Sequence, residues 1–72
     1  NEFDLIHLGH VYWCSGKIKD SIDCYSKALV SLNGNMDKFS DLFDEDKSYL
    51  MKHGIKALDL SLMKDNLMNN PK

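Results

Sequence analysis

Arginine is missing from this sequence altogether, and its nine cations are lysines dispersed along the chain. Without guanidinium forks there is no bidentate clamp for phosphate or carboxylate. The net charge is −2 and no run of neighbouring lysines builds a basic face, so no nucleic-acid partner is expected. Long apolar runs are missing too. Nothing approaches the ~18 consecutive apolar residues of a spanning helix, and no signal-peptide pattern opens the chain, so no membrane partner is expected. Proline occurs once and glycine four times, and no stretch alternates with period two. β structure is therefore not expected.

Cysteine is scarce: Cys14 and Cys24 are the two thiols. On the antiparallel helices proposed below, Cys14 sits near the turn and Cys24 about two turns beyond it, outside disulfide range. Both are expected as reduced thiols, which points to a cytoplasmic setting. A chain of 72 residues makes one small domain that buries only about 60% of its unfolded surface. Without a staple or a partner such a domain is expected to be only marginally stable. Because it begins on Asn1 rather than methionine, the chain is expected to be a piece of a longer one.

What the sequence does contain is helical periodicity. From Glu2 to Ser15, Leu5, Leu8 and Tyr12 recur on one face and Phe3, Ile6 and Trp13 on an adjacent one. Ser15-Gly16 breaks the pattern, with Gly16 placed for a left-handed C-cap. A second stretch runs from Ile18 or Lys19 to Leu32 through Ile22, Tyr25, Ala28 and Leu29, and Asn33-Gly34-Asn35 ends it as a loop. Met36, Phe39, Leu42 and Phe43 suit a short helix. Asp44-Glu45-Asp46 then precedes Tyr49, Leu50 and Met51, where acids would cap a new helix and meet its dipole. After Gly54, an amphipathic helix over Ala57 to Met68 is expected to use Leu58, Leu62, Met63 and Leu67, with Asn69 to Lys72 frayed. The expected fold is all-α: an antiparallel helix-turn-helix over 2–35, then two or three shorter capping helices over 36–70.

A glycine inside a helix costs about 1 kcal/mol relative to alanine, so Gly9 needs a packing reason. Leu5-x2-Leu8-Gly9-x2-Tyr12, followed by Ser21-x3-Tyr25-x2-Ala28, resembles the tetratricopeptide repeat. The resemblance covers about 34 residues, one repeat. It departs from the family at Leu5, where tryptophan is frequent, at Ser21, usually alanine, and at Asn33, where a proline often closes the unit. It implies right-handed α-α packing, with Gly9, Ser21 and Ala28 at the closest approach of the two helices and Tyr12 and Tyr25 filling the space. It also implies a non-enzymatic protein–protein interaction module that recognises a peptide or protein segment on the first helix. The corresponding stripe here is Phe3, Ile6, His10 and Trp13, with aromatic anchors of the kind enriched at binding hot spots. Three alternatives stand beside it. The C-terminal helices, a second copy forming a homodimer, or a neighbouring repeat could cover the stripe, and the segment would then serve assembly or packing within a larger repeat protein.

Other constellations point to no chemistry. His7, His10 and Cys14 share part of a helix face, but their spacing matches no zinc motif and the fourth ligand would have to be Cys24 or His53. No metal or other cofactor is expected. Ser15-Gly16-Lys17 lacks the preceding strand and spacing of a phosphate loop. The acids from Asp37 to Asp46 lack the alternation and central glycine of a calcium loop. Nothing orients a histidine and a cysteine as base and nucleophile, so no catalytic residue and no enzymatic activity are expected. Met51, Met63 and Met68 read as adaptable core packing, or as a docking surface for another subunit.

Overall fold

The computed structural model describes residues 1–69, and over these the chain is all-α. Five helices follow one another: α1 (Glu2–Cys14), α2 (Ile18–Ser31), α3 (Met36–Glu45), α4 (Lys47–Lys52) and α5 (Ala57–Asn69). Three helices therefore follow the hairpin, and α5 is as long as α1 rather than shorter. Asn69, expected to be frayed, is instead the last residue of α5; the rest of the expected frayed end, 70–72, falls outside the described residues.

Local chemistry sets the boundaries. The Asn1 side chain accepts the Asp4 amide at 3.1 Å and opens α1; Asn35 does the same for Lys38 and opens α3. Both satisfy amides that have no partner within the helix. α1 closes with the Gly16 amide donating to the Trp13 carbonyl and the Lys17 amide to the Tyr12 carbonyl. This is the paired Schellman arrangement, and it needs the left-handed backbone that Gly16 supplies at φ 81°. The same pair of bonds closes α2 around Asn33, the one non-glycine residue with positive φ among the described residues, and closes α4 around Gly54. The acidic cluster does not cap α4 as expected, since Asp46 occupies the N-cap without a side-chain bond. Its neighbour Asp44 is instead turned to Lys64.

The core is shared by both halves of the chain. Ile6 from α1, Tyr25 and Ala28 from α2, Phe39 and Phe43 from α3, Leu50 from α4, and Leu60, Met63 and Leu67 from α5 form one buried cluster. On α5 the buried face differs from the expected one. Met63 and Leu67 point inward with Leu60, whereas Leu58 and Leu62 are exposed. Residues 58 and 62 lie about 200° around the axis from residue 60, so only one of the two interleaved apolar series can face inward. Of the methionines read as packing, Met63 is buried while Met51 and Met68 are exposed.

Candidate interaction surface

The hairpin closes on a contact between a residue with no side chain and a large one. A Cβ on Gly9 would lie 2.7 Å from Cδ1 and 3.0 Å from Cζ of Tyr25, inside van der Waals contact. The Tyr25 ring takes this space, with Ser21 and Ala28 buried beside it one turn to either side on α2. Tyr12 does not share it: it lies half-buried, with the Lys17 ammonium 6.0 Å from its ring centroid. Of the remaining repeat positions, Leu5 is half-buried and Leu8 is 41% exposed.

Next to Gly9 on the same helix, His10 is fully buried. Its Nδ1 is 2.6 Å from the Tyr25 hydroxyl and its Nε2 is 3.1 Å from the Phe43 carbonyl oxygen. A carbonyl only accepts, so Nε2 carries the proton and Nδ1 accepts from the tyrosine hydroxyl. Phe43 sits in the last turn of α3, where carbonyls run out of intrahelical donors, and the imidazole supplies one. Burial pushes the His10 pKa below its ordinary value and outweighs the opposing pull of the Phe43 carbonyl and of Asp46. Burial likewise raises the Tyr25 pKa, well above the usual range for a phenol. Ser21 Oγ is close enough to favour the ionised phenol slightly, yet it lies outside hydrogen-bond geometry and is buried without a partner. Rings complete the box: Phe43 meets His10 edge-on at 4.8 Å, and Tyr25 meets Phe39 edge-on at 6.0 Å.

The expected recognition stripe is therefore occupied. Ile6 is 2% exposed and His10 not at all, while Trp13 is half-buried with its ring 6.4 Å from those of both Tyr25 and Phe43. Phe3, at 47% exposure, is the member of the stripe left largely open. The occupant is α3, whose Phe39 and Phe43 are fully buried. A second anchor holds α5 onto α3: Lys64 Nζ donates to Asp44 Oδ1 at 2.7 Å and to Ser40 Oγ at 2.9 Å, and lies 5.2 Å from the Phe43 ring centroid. Sequence reasoning read Phe39 and Phe43 as a helix signal and missed their role as a lid. Their i, i+4 spacing, which puts two large aromatics on one face, is the signal that marks it.

Elsewhere the surface offers less. An open trough of about 730 Å³ between α2 and α5 is lined by Ile22, Val30 and Leu67 together with Lys19, Asp23 and Lys27. Cys14 and Cys24 are both free thiols, and burial raises the pKa of each. Among the described residues no three His, Cys, Asp or Glu side chains converge as a metal site, and no helix is long and apolar enough to cross a membrane. No family model matches the sequence, and no curated protein and no solved structure matches the chain.

Proposed function

We propose that this chain is a non-enzymatic protein–protein interaction module of tetratricopeptide type, which works by stacking its open flank on another helical unit. The observation that carries this reading is the asymmetry of α1. Residues two apart lie about 200° apart around a helix, and on one side His10 is sealed beneath α3 while on the other Leu8 stands 41% exposed. Leu5 and Tyr12, each half-buried, share the Leu8 side. In a stack each helical pair buries its faces only against its neighbours. A hairpin closed on one flank and open on the other has the form of a terminal unit, with α3, α4 and α5 as its cap. The tightly packed Gly9–Tyr25 contact supports the hairpin geometry of that family. The structural use of both His10 nitrogens supports a role without catalysis, and the two free thiols fit a reducing, cytoplasmic setting.

The test is a fusion in which an idealised tetratricopeptide hairpin is joined in register ahead of Asn1. Stacking predicts a single cooperative melting transition above that of either part alone, and its loss when Leu8→Glu is introduced. Two independent transitions, each at its isolated temperature, would refute the reading.

A further inference from the structure

We propose that His10 is a proton-sensitive latch: its neutral imidazole joins α1, α2 and α3, and its protonation releases α3 from the stripe of Ile6, His10 and Trp13. The inference is independent of stacking through Leu8. It concerns the opposite flank of α1, where recognition was expected and where the structure places a lid.

The geometry makes the latch specific to one protonation state. In the neutral form the Tyr25 hydroxyl donates to Nδ1 at 2.6 Å and Nε2–H donates to the Phe43 carbonyl at 3.1 Å. Each of the three helices contributes one group, and the imidazole has no capacity left over. Adding a proton turns Nδ1 into a donor facing a hydroxyl whose own proton already points at it. That hydroxyl proton must then find another acceptor. Ser21 Oγ, one turn before Tyr25 on α2, is buried without a hydrogen-bond partner, so the pair as placed makes no such bond. The new charge would also sit at a position with no contact with water, boxed by the rings of Tyr25 and Phe43. An unpaired buried cation is costly.

The surrounding charges offset this cost only in part, and burial outweighs them. On α1 itself, His7 adds a like charge when protonated. From α2 the facing groups are Tyr25 and Ser21, both neutral. From α3 comes Asp44, already paired at 2.7 Å with Lys64 of α5. At the α3–α4 junction Asp46 favours the cation, but it lies at the surface 3.6 Å from Nδ1 of His7, which shares its charge. The Phe43 carbonyl favours the cation as well, yet it belongs to the element being held. The least costly response to protonation is for that carbonyl and its helix to move away and admit water.

The experiment is amide hydrogen exchange on the full chain from about pH 7.5 to about pH 5, corrected for intrinsic exchange rates, with ring-nitrogen NMR of His10 on the same samples. The latch predicts Nε2–H as the sole ring proton at the neutral end. It also predicts that the opening constant of the α3 amides rises as pH falls below the ordinary histidine value of 6.5, by up to about tenfold per pH unit, because the opened imidazole takes up a proton that the closed one resists. His10→Gln offers an amide oxygen to Tyr25 and an amide N–H to Phe43 without titrating, and its α3 opening should be flat over the same range. An α3 opening constant that stays flat as pH falls below the ordinary histidine value of 6.5, or that rises only above it, would overturn the proposal, and neither reading depends on the variant folding. An equal slope in wild type and a folded His10→Gln would overturn it too.

Discussion

Gly9 and His10 are adjacent in the chain and solve two different packing problems, one by having no side chain and one by having both ring nitrogens satisfied. Gly9→Ala recovers about 1 kcal/mol of helix propensity but places a Cβ against a ring that cannot retreat. Tyr25 is fully buried and its hydroxyl is held by His10. Overpacking of this kind costs about 1–3 kcal/mol, so the alanine variant should show a net loss in chemical denaturation, and Gly9→Val a larger one of a few kcal/mol. A melting temperature unchanged in the valine variant would remove the packing argument. Two titrations bound the working range. The folded-state pKa of His10 is lowered, so its contribution is full above the unfolded value of 6.5 and declines as pH falls below it. That of Tyr25 is raised, so its contribution is full below 10 and declines as pH rises past it. Urea midpoints against pH should therefore show a plateau between these limits with a fall on both sides. Gly9 was legible in the sequence because an interior glycine carries a known cost and demands a reason. His10 was read as part of a recognition stripe that the C-terminal helices, a second copy or a neighbouring repeat could also cover, because spacing alone does not distinguish a satisfied core histidine from a surface one.

Among the elements, α3 decides what the hairpin presents. Its two phenylalanines fill the space beside Tyr25, with ring centroids at 6.0 Å for Phe39 and 5.2 Å for Phe43. Phe43→Ala should cost about 3–5 kcal/mol and leave Trp13, the single tryptophan, with red-shifted emission. An unshifted spectrum would mean that α3 does not lie where the structure puts it. α5 is held differently, by an ion pair whose Lys64 and Asp44 side chains are 20% and 39% exposed. With one end partly screened, its worth is about 1 kcal/mol. Lys64→Met and Asp44→Asn should each destabilise by about that much, and less than additively in combination, because they share one interaction. Turn positions and the buried face of α2 could be read from periodicity and from the glycine and asparagine signals, and the number of helices after the hairpin to within one. The face of α5 could not, since Leu58 and Leu62 at i, i+4 are as helical in spacing as Leu60, Met63 and Leu67 at i, i+3, i+7, and only the position of α2 and α3 selects between them.

At the scale of the whole molecule, a chain of this length has a stability of roughly 4–10 kcal/mol, so the shared core leaves little to spare. Phe43→Ala alone would consume much of it. This small margin explains why the two halves are interdependent: an isolated hairpin would expose Ile6, Tyr25 and Trp13, and α3 to α5 would have nothing to cover. The all-α class follows from local patterns and was legible in the sequence. The docking of α3 over His10 is a long-range fact, carried by a bond between residues 10 and 43; the i, i+4 spacing of Phe39 and Phe43 marks an apolar face on α3 but not the surface it covers. The central claim is that α1 is sealed on its His10 side and open on its Leu8 side, and side-chain footprinting by hydroxyl radicals tests it directly. The account predicts strong labelling of Phe3, Leu8 and Tyr12 and protection of His10, Tyr25, Phe39 and Phe43 in the same sample at neutral pH. Labelling of Tyr25 and Phe43 at the rates of Tyr12 and Phe3 would contradict it.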